Sequence, residues 1–451
     1  MMSLGQAVRP LLGRLGLDGA WAVPAVRLLA ACALPLALAA CGGSAYPGPG
    51  GGATTVSGAP RPLQSQPAPM IQAPQQFPAS QGRRVAILLP LSGANAPLAQ
   101  ALLKAAQLAL DGPDAPELLP LDTAGTADGA ANAVQQAAQQ GAGIILGPLT
   151  GAETAAVAPV ARSLGLPVLA FTNDPTQQQP GVWTLGIGPA QQVRRLVAAV
   201  GAQGKTKFAA LLPDNAFGSL LGDALAQTAP TLNASVVSQL RYGQNFAELN
   251  TATKEIAAYA TRRAVIDAEV RKARAKLTPE GRKEAREAAA QPVPPPPYDA
   301  LLVGEAGPRL QELIPLMQAY DIGPAEVKII GPALWDNEAP RLGALSGAWY
   351  AAPDPAARAG FDQAYTAKFG SPAPRIADLA FDAAAIARLA AGPGGFSAGS
   401  IARPEGFSGA NGLLLLQPDG RVRRGLAVFE IDRGGSHIVE PAPTSLAAPD
   451  V

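Results

Sequence analysis

Gly141-Ala-Gly-Ile-Ile-Leu-Gly-Pro-Leu-Thr-Gly-Ala-Glu-Thr154, a helical stretch, and then Gly165-Leu-Pro-Val-Leu-Ala-Phe171 decide the fold. Ile144 to Leu146 is a short apolar run of the kind that forms a strand buried on both faces. Thr150 with Glu153 three residues later is a capping box, so a helix opens there and closes near Gly165. Val168 to Phe171 supplies the next strand. Strand, capped helix and strand within about 30 residues make one βαβ unit, which requires a parallel sheet. Open parallel sheets bind ligands beyond the carboxyl ends of their strands. Here those ends are Gly147-Pro-Leu-Thr150 and Thr172-Asn-Asp174. The same residues also suit caps and turns, a role that needs no ligand.

Composition removes several functions. The chain has 451 residues and a net charge of +1, which gives no bulk electrostatic case for nucleic acid. Its two cysteines, Cys32 and Cys41, lie near the N-terminus, so a folded domain downstream has no disulfide, thiolate metal site or cysteine nucleophile. The one histidine, His437, sits in a Gly/Pro-rich tail, which rules out Ser-His-Asp triads and His-ligated zinc. Carboxylate or Ser-Lys chemistry has no motif behind it. The expectation is a protein that is not an enzyme, with no cofactor and no metal.

Arg27 precedes an apolar stretch, Leu28 to Ala40, too short to span a bilayer and suited to a signal-peptide core. It ends in Leu38-Ala-Ala-Cys-Gly42, which resembles the bacterial lipobox. Leu29-Ala-Ala-Cys32 fits the same pattern with a poorer upstream region. The sequence therefore predicts a signal peptide over 1–40 and lipidation at Cys41, with an ordinary cleaved signal as the alternative. The long lead before the apolar core points to a start codon later than Met1. Gly42, rather than Asp, after Cys41 favours the outer membrane by the enteric sorting rule. Residues 41–82 read as the lipidated cysteine and a Pro/Gly-rich disordered tether, spanning roughly 35 Å as a coil. Several acyl chains would hold such a protein durably to a membrane.

From Arg83 to Arg433, about 350 residues suffice for two domains. Val85–Leu89 reads as a strand followed by a helix that carries Leu98, Leu102, Ala105 and Ala109 on one face. A helix over Asp128–Gln140 leads into the unit quoted first. A second βα series follows, with strands at Phe208–Leu212, Ser235–Leu240, Leu301–Gly304 and Val327–Gly331. Two such series imply two lobes and a cleft. Helices are expected over Ala356–Phe369 and Ile376–Ala391, and a hairpin about Pro418-Asp-Gly420. Residues 261–291 break the pattern with nine basic and five acidic residues, closed by Pro292-Val-Pro-Pro-Pro-Pro297. They read as an exposed helical protrusion, either a solvated charged helix or a basic docking arm.

These segments, in this order, resemble the type 1 periplasmic binding fold of the branched-chain amino-acid binding proteins. Leu89-Pro-Leu-Ser-Gly93, Ile145-Leu-Gly-Pro148, Ala156-Val-Ala-Pro-Val-Ala161, Gly165-Leu-Pro-Val168, Ala216-Phe-Gly218, Leu379-Ala-Phe-Asp-Ala383 and Gly406-Phe-Ser-Gly409 carry the likeness. The implied fold is α/β and two-lobed, each lobe a parallel sheet flanked by helices. The expected N-terminal lobe is 83–190 with 352–405; the C-terminal lobe is 191–351 with 406–433, leaving 434–451 as a disordered tail. Within that superfamily the lipobox, the tether, Gly331-Pro-Ala-Leu-Trp-Asp336 and Gly347-Ala-Trp-Tyr-Ala-Ala-Pro-Asp354 are similar to the penicillin-binding protein activator lipoproteins.

In the amino-acid binders, hydroxyls after two first-lobe strands grip the substrate carboxylate, and an acidic residue after a Gly-Pro meets the ammonium. The resemblance places Thr150 and Thr172 near the first positions and Ala333 at the second. A buried ammonium without a counter-charge costs several kcal/mol, which argues against amino acids unless Asp336 or Glu305 substitutes. The cleft candidates are Ser92, Gly93, Thr150, Thr172, Asn173, Asp214, Phe217, Glu305, Trp335 and Asp336. The leading expectation is an activator that touches a peptidoglycan synthase, with a small polar ligand as an option. The alternative is a solute-binding protein of an ABC importer.

Overall fold

The computed structural model describes residues 82–392 and 395–446. The expected signal peptide, Cys41 and the tether up to residue 81 lie outside the described residues, as do residues 447–451.

The first series runs β1 (Arg84–Leu89), α1 (Ala96–Ala109), β2 (Leu118–Asp122), α2 (Ala127–Gln139), β3 (Ala142–Leu146), α3 (Gly151–Ser163), β4 (Val168–Ala170) and β5 (Val182–Thr184). Its strands form an all-parallel sheet in the order β2-β1-β3-β4-β5. Successive side chains of a strand point to opposite faces, and here both faces are covered. Val85, Ile87 and Leu89 join one apolar core with Leu102 and Ala105 of α1. Ala86 and Leu88 join another with Val134 of α2 and Val157 of α3. Continuous apolar runs, rather than alternation, are the expected signature of that burial.

The second series is α4 (Pro189–Ala202), β6 (Lys207–Pro213), α5 (Ala216–Thr231), β7 (Ser235–Tyr242), α6 (Phe246–Ile256), α7 (Tyr259–Arg274), α8 (Pro279–Ala289), β8 (Ala300–Val303), α9 (Gly307–Ala319), β9 (Lys328–Gly331) and β10 (Trp349–Ala352). The chain then supplies α10 (Pro355–Phe369), α11 (Ala377–Ala390), α12 (Ala398–Ile401), β11 (Phe407–Gly409), β12 (Gly412–Leu416), β13 (Val422–Arg424), β14 (Ala427–Ile431) and β15 (Ser436–Glu440). The second sheet is mixed, in the order β15-β14-β10-β9-β8-β6-β7, with β14 and β15 antiparallel to their neighbours. Its two faces are buried in the same alternating way, Ala209 and Leu211 on one side, Phe208, Ala210 and Leu212 on the other.

Two expectations change, and one strand was not anticipated. Residues 406–424 were expected in the C-terminal lobe. Instead Phe407, Leu414, Leu416 and Val422 pack into the first core beside α11, and only from Leu426 does the chain enter the second lobe. The hairpin itself is as expected: Leu416 pairs with Val422 around Gly420, whose φ of +90° favours glycine. The tail expected to be disordered contributes β15, whose Ile438 pairs with Phe429 of β14. The strand β2 went unread because Leu118-Leu-Pro-Leu-Asp122 is short, half-exposed at the sheet edge and carries a proline.

The charged insertion is a helical hairpin. Ile266, Val270 and Ala273 of α7 meet Ala285 and Ala288 of α8 in a small core of their own. Arg262 fixes its base by donating to the carbonyls of Ala257, Pro294, Tyr320 and Asp321. Tyr259 and Tyr320 add an edge-on ring contact at 5.2 Å. The protrusion is thus firmly rooted at its base. Among the described residues no helix is long and apolar enough to cross a membrane.

Candidate functional site

The candidate residues stand in the loops at the carboxyl ends of the parallel strands in both lobes. Each loop is shaped by local chemistry. After β1, Asp122 accepts the N–H groups of Leu91 (2.9 Å), Ser92 (3.3 Å) and Ala124 (2.8 Å), which fixes the Ser92–Gly93 turn. Burial works to raise the Asp122 carboxyl, but these donors and the Ser92 hydroxyl outweigh it and hold it below the usual range. Ser92 and Gly93 themselves are exposed.

After β3, the capping box forms as read. Thr150 Oγ1 accepts from the Glu153 N–H at 3.2 Å, and Glu153 Oε2 accepts from the Thr150 N–H at 3.1 Å and its hydroxyl at 2.8 Å. The second oxygen of Glu153 takes the Thr123 hydroxyl at 2.6 Å, so this carboxylate, 1% exposed, ties the loops after β2 and β3 together. The Thr150 hydroxyl is therefore engaged at the helix end rather than turned out toward a ligand. After β4, Thr172 is 8% exposed and its Oγ1 accepts from the Asp174 N–H, while Asn173 is exposed.

In the second lobe, Asp214 is exposed and Phe217 half-buried after β6. Asp214 borders an open cavity of about 480 Å³ with Arg241, Tyr242, Glu248 and Glu255, on the β7–α6 side. Of the ten candidates it is the one that lines this cavity. Glu305, after β8, accepts from the Tyr242 hydroxyl at 2.9 Å. Burial pushes its carboxyl above the usual range, against the Tyr242 hydrogen bond and the Arg309 charge.

Trp335 is fully buried, so its place is behind the cleft and not in its lining. Its indole N–H donates to the Glu305 carbonyl at 2.7 Å, and its ring lies against Gly331, where a Cβ would come within 2.2 Å of it. The Gly-Pro before it is thus a packing requirement of the tryptophan. Ala333, at the position where the resemblance calls for an acid, uses its N–H on Gln192 Oε1 at 2.8 Å.

Asp336 is the candidate with the most telling surroundings. One oxygen accepts from the Tyr350 hydroxyl at 3.0 Å; the other accepts from Arg375 Nη1 at 2.7 Å. Arg375 immediately precedes α11, which packs in the first lobe, whereas Asp336 follows β9 of the second. The ion pair therefore joins the two lobes. Sequence reasoning missed Arg375, Tyr350 and Tyr242, because nothing local in Ala-Pro-Arg375-Ile or in a buried strand tyrosine announces a distant partner.

A profile of the periplasmic binding protein family matches residues 83–436. The chain belongs to this family. No curated protein matches the sequence. Among solved structures the chain resembles a Rhodospirillum rubrum protein assigned to a branched-chain amino acid ABC transporter (18% identity, TM-score 0.61, covering 79% of this chain and 99% of that one). It also resembles full-length LpoA of Haemophilus influenzae (16%, TM-score 0.57), spanning 81% of this chain but 60% of LpoA. A third is an ABC transporter substrate-binding protein of Desulfitobacterium hafniense in complex with Leu (15%, TM-score 0.54, covering 79% of this chain and 99% of that one). At these identities the likeness is one of fold. The two-lobed α/β architecture expected from the sequence is the architecture of this family.

Proposed function

We propose that this periplasmic binding protein is a non-enzymatic lipoprotein, held by Cys41 at the outer membrane, that activates a penicillin-binding protein by direct contact. The observation that carries this reading is the Asp336–Arg375 pair. An amino-acid carrier needs a free carboxylate in the cleft for the substrate ammonium. Ala333 offers none, and Asp336 is already paired at 2.7 Å with the largely exposed guanidinium of Arg375 from the opposite lobe. Glu305 already accepts the Tyr242 hydroxyl and lies in the field of Arg309, so it too is partly engaged.

The second reading, a solute-binding protein of an ABC importer, is favoured by the fold shared with the R. rubrum and D. hafniense proteins and by the exposed Ser92 and Asn173 loops. Thermal denaturation of the purified body across an amino-acid panel separates the two. A ligand at 100 times its Kd adds about 2.7 kcal/mol. The activator reading expects no shift with any amino acid and stimulation of a purified peptidoglycan synthase. A clear shift with one amino acid and no effect on the synthase would replace it with the transport reading.

A further inference from the structure

The α7–α8 hairpin is sided in its charge. Successive helical residues advance by about 100°. Measured from the packed line of Ile266, Val270 and Ala273, Arg271 and Arg274 fall to one side of α7. Measured from Gly281, Ala285 and Ala288, Arg282 and Arg286 fall to the corresponding side of α8. Because the helices run in opposite directions, these two sides form one face of the hairpin. Glu280, Glu284 and Glu287 occupy the other, where Lys276 pairs with Glu284 and Gln291 holds Glu269.

The four arginines of the first face are exposed, and none has a side-chain partner among the described residues. The acid on that face, Asp267, is paired with Arg263. The hairpin therefore presents uncommitted guanidinium groups on a support rooted by Arg262, which limits the ordering cost of binding. Guanidinium forks match carboxylates two hydrogen bonds at a time. A helix face that lies on lipid needs apolar residues beside its cations. This face has no large one: Val265, 66% exposed, lies on the opposite face, and Leu277, 86% exposed, lies in the turn.

We propose that Arg271, Arg274, Arg282 and Arg286 form a docking face for a carboxylate-rich segment of a partner protein. The docking face stands whether or not that partner is a cell-wall synthase.

The test uses the full chain, a fluorescent oligo-glutamate peptide as probe, and phosphatidylglycerol vesicles in a separate arm. R271Q/R274Q/R282Q/R286Q should weaken the peptide roughly tenfold or more, since four exposed charge pairs, each modest alone, are lost together. A doubly neutralised arginine face, R271Q/R282Q, should weaken it clearly more than K254Q/K272Q, which removes the same charge off that face. Added salt should erase the difference. Equal loss in both double variants would mean bulk charge alone and overturn the proposal. Vesicle binding that exceeds peptide binding and depends on the same arginines would also overturn it, making the face a lipid contact. Circular dichroism of each variant confirms that the hairpin still folds.

Discussion

Asp382 of α11 is enclosed with Arg424 of β13, both side chains fully buried. One Asp382 oxygen accepts the Ala410 N–H at 2.5 Å. Arg424 donates twice to the Leu185 carbonyl, at 2.7 and 3.1 Å. The facing atoms, Asp382 Oδ2 and Arg424 Nη1, stand 3.5 Å apart, and neither has a hydrogen-bond partner among the described residues. Desolvation therefore outweighs the attraction of Arg424 and the Ala410 donor, and the carboxyl is pushed up to about 6.

The sign follows from linkage. A carboxyl whose folded value lies above its unfolded value of 3.8 holds its proton more tightly in the folded protein. The stability this gives is present in full below pH 3.8 and is lost as pH rises through 6, a loss of about 3 kcal/mol. Asp382→Asn stays neutral at every pH and keeps an acceptor for Ala410. It should match or exceed the wild type at pH 7.5, by up to about 3 kcal/mol, and the gain should vanish near pH 4. Urea unfolding followed by tryptophan fluorescence, repeated across that range, measures it. Part of the acid-side slope should persist in the variant, because burial also raises Asp378, against the charge of Arg358. A variant less stable at pH 7.5 by the roughly 3–5 kcal/mol of a broken buried pair would show that Arg424 wins and the reasoning fails.

Two further outcomes are expected. Gly331→Ala drives a methyl into the Trp335 ring, with loss of roughly 1–3 kcal/mol in thermal or urea unfolding; an unchanged midpoint would mean that the tryptophan is free to move. Arg262→Met strands four carbonyls at the hairpin root, so limited proteolysis should cut first within residues 259–297 while the remaining body resists. Uniform cleavage would show that the root is not separable from the body.

The sequence disclosed the fold where burial is complete and local chemistry is strong. Ile144 to Leu146 has no exposed residue to interrupt its apolar run, and the Thr150–Glu153 box depends on a spacing of three. Residues 406–424 were misplaced because their apolar alternation shows that one face is buried but not against which lobe. The edge strand β15 was missed because Gly434 and Gly435 before it read as disorder, although they only form the turn from β14. Trp335 was drawn toward the cleft by its place beside Asp336. Burial by a ring four residues from a glycine is a three-dimensional fact with no local mark. The same holds for Arg375, whose carboxylate partner lies 39 positions away.

Neither lobe is contiguous along the chain. The first core needs Phe407, Leu414 and Val422 to close over β1 and α11, and the second needs β14 before β10 has its antiparallel neighbour. Any polypeptide ending much before residue 424 thus leaves both interiors open at once. During synthesis neither lobe can close until the chain has reached β14, and until then short apolar strands wait uncovered. If the signal peptide expected over residues 1–40 directs export of an unfolded chain, that delay is an asset, because an unfinished interior offers little compact structure to resist passage across a membrane.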